Sequence, residues 1–228
     1  MELLRGIIME LYHIHLLGNH DRLYKEKSEF VIDRNKFNNR LYNRIYNMTA
    51  NVDTDRYSRI MIIINTLLRS NGFQPFEEKV NLGEIISFIS NQGCEQEELF
   101  NILEDAKKIA LDEGINLREM AMEEYRKNNC DNLPSRLHSL FACTEEGVNF
   151  WMNHIRDNSS DIYRIDVYDE PFVSNEVLLP SEKLSYGDKI DASYKYFHPT
   201  KKDLNGVTDE YLVQGKVKII EKVGSIRM

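Results

Sequence analysis

The spacing of apolar residues changes twice along the chain, and these changes constrain the fold more than any other feature of the sequence. Apolar and polar residues alternate in 10–16, 163–168 and 216–223, as in strands that bury one face. Between about 34 and 130, apolar residues recur instead every three or four positions, which is the spacing of amphipathic helices. We therefore predict an α+β fold with strands near both ends and a helical middle.

Turn residues place three more strands outside the helical middle. Residues 29–32 form a short strand after turn residues at 18–21. Residues 139–143 form another, and 210–213 form a third that ends at a Gln-Gly pair.

Helices are predicted in the middle and once more after it. Five apolar sets at helical spacing lie between about 34 and 130. Thr144, followed by two acidic residues, is typical of an N-cap and predicts a helix that carries Val148, Trp151, Met152 and Ile155. The segment 174–208 contains two prolines and two glycines, and we predict a long irregular connection there.

The length limits the number of domains. At about 150 residues per domain, 228 residues correspond to one large domain better than to two. Residues 57–68 are apolar nearly all round, so this predicted helix needs cover from other parts of the chain. We predict a single domain over 1–228 with a helical insertion at about 34–130.

Composition excludes several classes of protein. The longest apolar run, 60–64, is far shorter than the roughly 20 residues that cross a bilayer, so no membrane contact is expected. Residues 1–9 lack the features of a secretory signal, and Cys94, Cys130 and Cys143 form no pattern of disulfides or zinc ligands. We expect a cytoplasmic protein with free thiols.

Charge and histidine patterns give two local hypotheses. The formal net charge is −8, which repels nucleic acid at long range, so any such contact must involve a local cluster of positive side chains. Lys36, Arg40 and Arg44 line one helix face, which is more often solvated than bound to phosphates. His13 and His15 share a strand face, but no acid or cysteine lies near them in sequence, and we predict no metal site.

Four segments read together resemble the ADP-ribosyltransferase fold. They are LYHIH at 11–15, PSRLHSLFA at 134–142, YRIDV at 163–167 and DEYLV at 209–213. The likeness is closest to small bacterial members, such as the rifampicin-modifying enzymes and the DNA-modifying toxin enzymes, and it covers roughly 10–32 and 133–223. It implies split, mostly antiparallel sheets that form a cleft for NAD.

The resemblance also implies roles for individual residues. Glu210 matches the catalytic glutamate that begins a late strand, and His13 matches the first-strand residue that contacts NAD. The residues implied in NAD binding are His13, Ser135, Arg136, Ser139 and Phe141. Two positions depart from the pattern, since Leu140 stands where the pocket strand often has tyrosine and Thr208 stands where some members have a second Glu or Gln.

The function implied is NAD-dependent mono-ADP-ribosyl transfer to a macromolecular acceptor, with NAD as the substrate. The acceptor is a protein or a nucleic acid, and neither it nor the oligomeric state follows from the sequence. One alternative is an inactive protein of this fold that binds a protein partner. Another is an enzyme of the same fold directed to nucleic acid by Lys36, Arg40 and Arg44.

Overall fold

The computed structural model describes part of the chain in detail. The residues described are 8–16, 23–25, 27–34, 36–39, 41–43, 45, 114–155 and 159–227. Most of the predicted helical middle, together with His20, Arg40, Arg44 and Cys94, lies outside them. Contacts between Cα atoms divide the chain into two compact units, one of 1–44 with 116–228 and one of 45–115. The interpretation as one domain with an insertion at about 34–130 stays a prediction.

In the described residues, seven strands form two antiparallel sheets. In chain order they are β1 (Met9–Leu16), β2 (Glu29–Ile32), β3 (Leu140–Ala142), β4 (Ser159–Val167), β5 (Phe172–Asn175), β6 (Asp209–Val213) and β7 (Gly215–Arg227). The first sheet has the order β1-β4-β7-β2 and the second has the order β3-β6-β5.

Residues 41–43 and 45 are helical, and the longer described helices are α1, which includes residues 114–129, α2 (Val148–His154) and α3 (Tyr186–Phe197), with a short 3-10 helix at Glu176–Leu178. Together with the two sheets they make an α+β fold. The predicted fold class and the six predicted strands are confirmed.

Alternation along the strands of the second sheet separates two apolar cores. Leu140 and Ala142 of β3 belong to a core shared with Leu11 of β1 and Ile165 of β4. Phe141 faces the other way, into a core with residues of α1, α3 and β6. Because side chains alternate with a period of two, Glu210 of β6 leaves the sheet on the same face as Leu212, which pairs with Phe141.

The two sheets meet where β1 runs beside the end of β3. The Tyr12 amide donates to the Cys143 carbonyl at 2.8 Å, and the Cys143 amide donates to the Tyr12 carbonyl at 2.9 Å. His13 Nδ1 lies 2.6 Å from the Phe141 carbonyl oxygen. This junction brings His13 beside the strand that carries Phe141.

Two predictions about the segments between the strands need correction. The segment 174–208 is not irregular, because α3 occupies 12 of its residues and Ser185 Oγ accepts from the Asp188 amide at 3.3 Å as its N-cap. The N-cap of α2 is Gly147 rather than Thr144, since α2 begins at Val148. The Thr144 hydroxyl accepts from the Gly147 amide at 3.3 Å in the turn that leads into α2, and it donates to the Gly206 carbonyl at 2.7 Å, which tethers the turn before β6.

Candidate functional site

A cavity of about 240 Å³ lies at the junction of β1 and β3. Its apolar wall includes Tyr12, Ile14, Leu41, Phe141, Trp151 and Ile155. Its polar groups include His13, Asn39, Arg136, Ser139 and Glu210. A mostly apolar pocket with a few convergent polar groups is the common form of a small-molecule site.

Five of the six predicted site residues line this cavity, although they come from three separate parts of the chain. They are His13, Arg136, Ser139, Phe141 and Glu210. Ser135 is not among the lining residues, because its hydroxyl donates to Glu123 Oε2 at 2.8 Å. The Ser139 hydroxyl already donates to the Ser135 carbonyl at 2.7 Å, so its remaining capacity is that of an acceptor.

Glu210 is buried, and one of its carboxylate oxygens is held by two donors. Arg136 Nη1 and the Tyr196 hydroxyl both donate to Glu210 Oε1. Within the described part of the chain, no hydrogen bond to Oε2 is recorded. Glu210 therefore combines a fixed orientation with an oxygen that can accept from a ligand.

Arg136 connects Glu210 to a second buried carboxylate. Its Nε lies 2.7 Å from Glu119 Oε2, and its Nη1 lies 2.7 Å from the Tyr196 hydroxyl oxygen. The guanidinium carbon also lies 5.1 Å from the centre of the Phe141 ring and 4.9 Å from that of Tyr196. One guanidinium is thus shared by two carboxylates and two aromatic rings.

The two carboxylates respond differently to this shared cation. Burial alone would raise the pKa of Glu119, but attraction to Arg136 and Arg118 outweighs it and holds that pKa below the ordinary value. Burial raises the pKa of Glu210, and the negative charge of Glu119 adds to the rise although Arg136 opposes it. Glu210 is therefore the carboxyl of this cluster that protonates more readily.

His13 is neutral and its tautomer is fixed. Burial, with a smaller contribution from the neighbouring His15, lowers the pKa of His13 to about 3, although the hydrogen bond to the Phe141 carbonyl opposes the change. In the neutral ring Nδ1 must donate, since its partner is the Phe141 carbonyl oxygen. His13 Nε2 is left without a proton and can accept a hydrogen bond from a hydroxyl group.

A network of polar side chains fixes the turn that precedes Glu210. Asp209 Oδ1 accepts from Asn175 Nδ2 at 2.7 Å and from the Asn205 amide at 3.0 Å, and its Oδ2 accepts from the Gly206 amide at 2.8 Å. The Thr208 hydroxyl donates to Asn175 Oδ1 at 2.9 Å. Thr208, which stands where some ADP-ribosyltransferases have a second Glu or Gln, therefore belongs to this turn and does not line the cavity.

Sequence reasoning missed the residues that support the site. Asn39 Nδ2 donates to the Arg136 carbonyl and, at 2.9 Å, to the Ser139 carbonyl. Trp151 lines the cavity, and its Nε1 donates to the Asp209 carbonyl at 3.1 Å. Glu119 and Tyr196 hold Arg136 and Glu210. Of these residues, the sequence indicates only Trp151, because it lies on the helix predicted directly after the strand at 139–143.

Other predicted features fall outside this site. The Lys36 side chain is 83% exposed and lies 3.6 Å from Asp33, whereas Arg40 and Arg44 lie outside the described residues. In the described part of the chain, no group of three His, Cys, Asp or Glu residues could hold a metal ion. Burial raises the pKa of the Cys143 thiol to about 12, which makes this cavity residue a poor nucleophile.

The fold and the site define an α+β protein whose two antiparallel sheets meet at a pocket with a buried Arg and Glu pair. The chain belongs to the family described as protein of unknown function (DUF2441), whose model matches residues 11–225. A comparison with curated proteins finds no match. Of the helices that the structure describes, none has the length and apolar character to span a bilayer.

Proposed function

We propose that the protein is an NAD-dependent mono-ADP-ribosyltransferase that moves ADP-ribose to a protein or nucleic acid acceptor. One observation carries the proposal: His13 of β1, Phe141 of β3 and Glu210 of β6 come together in one cavity. These are the three positions that the resemblance to ADP-ribosyltransferases assigns to NAD contact, the nicotinamide pocket and catalysis.

The carboxylate of Glu210 suits the chemistry of this reaction. The bond between the ribose C1′ and the nicotinamide nitrogen breaks, nicotinamide leaves as a neutral molecule, and positive charge develops on the sugar. A carboxylate near the ribose hydroxyls stabilises that charge more in the transition state than in bound NAD. The acceptor atom then bonds to C1′ and releases its proton to solvent.

The remaining cavity residues suit the nicotinamide end of NAD. His13 Nε2 accepts from a ribose hydroxyl, and Phe141 and Trp151 offer apolar surface to the ring. An apolar cavity of roughly 150 Å³ holds one benzene ring. The cavity here, about 240 Å³, therefore suits a nicotinamide ring with part of its ribose, while the adenosine half extends outside.

A cytoplasmic location is part of the proposal. Cys130 and Cys143 are free thiols, which is usual for proteins of the reducing cytoplasm.

The first test is binding and transfer in one set of samples. NAD at about 100 times its Kd should stabilise the protein by about 2.7 kcal/mol in thermal unfolding. Incubation with labelled NAD and a cell lysate, followed by separate analysis of protein, nucleic acid and small molecules, should then report transfer and the acceptor class. No stabilisation and no transfer would contradict the proposal.

The second test concerns Glu210. Glu210→Gln keeps the shape of the side chain, so it should retain most of the NAD affinity yet lose transfer by 10²-fold or more, about 3 kcal/mol in the barrier. Glu170→Gln, an exposed carboxylate outside the cavity, is the matched control and should keep full activity. A fully active Glu210→Gln variant would remove the catalytic assignment.

A second candidate is an inactive protein of the same fold that binds a partner. One observation favours it, because Glu210 Oε1 is already engaged by Arg136 and Tyr196. NAD binding without transfer to any acceptor class in the lysate experiment would support this alternative over the enzyme.

A further inference from the structure

We propose that Glu119 is a positioning residue of the transfer reaction, which holds the Arg136 guanidinium in the orientation that clamps Glu210. This inference rests on the proposed function, because it assigns a role toward the same carboxylate. Glu119 is on α1 and is not among the cavity-lining residues, so it acts through Arg136.

The geometry of the guanidinium supports this role. Arg136 presents Nε and Nη2 to the two oxygens of Glu119, at 2.7 Å and 3.4 Å, in a bidentate arrangement. The remaining nitrogen, Nη1, is thereby aimed at Tyr196 and Glu210. A planar guanidinium fixed along one edge has no freedom to turn its other edge, so Glu119 determines where Nη1 lies.

Glu119 is itself held by a second arginine, Arg118. Arg118 Nη2 lies 3.1 Å from Glu119 Oε1 and its Nε lies 3.2 Å from the same oxygen. Arg118 Nη1 forms an ion pair with Glu182. Charges therefore alternate in sign from Glu210 through Arg136, Glu119 and Arg118 to Glu182.

The neighbouring carboxylate of α1 provides a matched control. Glu123 lies one helical turn beyond Glu119 and is also buried, at 9% exposed. Its partners are Arg126, Ser135 and, at 3.8 Å, Lys127, and in the described part of the chain it forms no hydrogen bond or ion pair with Arg136. Glu119→Gln and Glu123→Gln each remove one buried charge from the same helix, but only the first touches Arg136.

The groups facing Glu210 determine the expected pH effect. They are Arg136, Tyr196 of α3, Glu119 of α1 and the neutral His13 of β1. Because Glu119 raises the pKa of Glu210, Glu119→Gln should lower it. The acidic limb of kcat against pH should then move to lower pH, and plateau kcat should fall about tenfold or more with little change in KM for NAD.

The controls separate positioning from a structural role. Glu123→Gln should leave both the acidic limb and plateau kcat unchanged. Glu119→Asp keeps the charge but withdraws it by one methylene, so it should lower kcat without moving the acidic limb of the pH profile. If Glu119→Gln does not fold, Glu119→Asp still tests the positioning role. If the two glutamine variants give the same profile, or if Glu119→Asp is fully active, the positioning role is overturned.

A second readout does not depend on catalysis. Titration of ¹³C-labelled glutamate carboxyls by NMR, with Glu210 assigned through Glu210→Gln, gives the pKa of Glu210 in wild type and in Glu119→Gln. A lower pKa in the variant supports the electrostatic link between Glu119 and Glu210 even if no transfer is detected, in which case only the proposed function fails. An unchanged pKa in an active enzyme overturns the link and leaves the proposed function standing.

Discussion

At the scale of single residues, the buried charges of the cavity wall converge on one guanidinium. Arg136, Glu119 and Glu210 are each at most 5% exposed. Replacing a whole buried ionic cluster by well-packed apolar residues is often neutral or stabilising, whereas removal of one partner costs about 3–5 kcal/mol. Stability alone therefore gives no reason for three buried charges, and perturbed carboxyls in a pocket are common at functional sites.

His13 should make the protein sensitive to mild acid. Its pKa is about 3 when folded and about 6.5 in the unfolded chain, so below pH 6.5 only the unfolded state takes up the proton. Above pH 6.5 both states are neutral and His13 has no effect. Stability should fall by about 1.4 kcal/mol per pH unit below that point, or about 2 kcal/mol at pH 5 from this residue.

Urea unfolding between about pH 7 and pH 5 measures this effect. His13→Asn, whose amide can donate in place of Nδ1, should show a shallower loss of stability than wild type, and His198→Asn at the exposed end of α3 is the control. Equal slopes in wild type and His13→Asn would show that the His13 ring is not buried in its neutral form.

The sequence could identify the residues of the cavity that lie on strands, but not the residues that support them. His13, Phe141 and Glu210 followed from strand order and from the family resemblance. The contacts of Arg136 with Glu119, Tyr196 and Asn39 span 17, 60 and 97 residues. No local pattern specifies such pairs, because they depend on how separate elements pack.

At the scale of elements, six of the seven described strands were predictable, whereas β5 and the connections between strands were not. Alternation indicates β4 and β7, since buried and more exposed side chains alternate over 163–167 and 216–219. The sequence does not reveal α3, because Gly187 lies near its N-terminus and the prolines and glycines of 174–208 together favour an irregular segment. The pair Ser185 and Asp188, three residues apart, was the local signal of a helix start.

Two glycines should respond in opposite ways to replacement by alanine. Gly215 joins β6 of one sheet to β7 of the other at φ +81°, and a Cβ there would meet the Asp169 carboxylate. Gly187 has open space around its Cβ position and lies in α3. Gly215→Ala should destabilise by about 1–2 kcal/mol or more, and Gly187→Ala should stabilise by about 0.5 kcal/mol.

Denaturant midpoints of the two variants and of wild type test this pair. The opposite signs make the comparison its own control, because both changes add a single methyl group. A Gly215→Ala variant as stable as wild type would contradict the positive φ at the passage between the sheets.

At the scale of the whole molecule, the division of the chain into two compact units falls within the sequence of α1. The helix includes residues 114 and 115 of the unit 45–115 and continues through 116–129 of the other unit. Met122 of α1 is 1% exposed, and it shares a core with Tyr196, Phe197 and Leu212. The buried face of α1 therefore packs within the unit of 1–44 and 116–228.

The isolated segment 34–130 should therefore fold poorly. It keeps α1 but lacks α3 and β6, so Met122 would lose its apolar cover and Glu119 would lose Arg136. We expect the intact chain to unfold in one transition with equal calorimetric and van't Hoff enthalpies, and the fragment to show no cooperative transition. If the fragment unfolds cooperatively, and the flanking segments joined without it fold as well, the chain consists of two domains and the single-domain prediction is wrong.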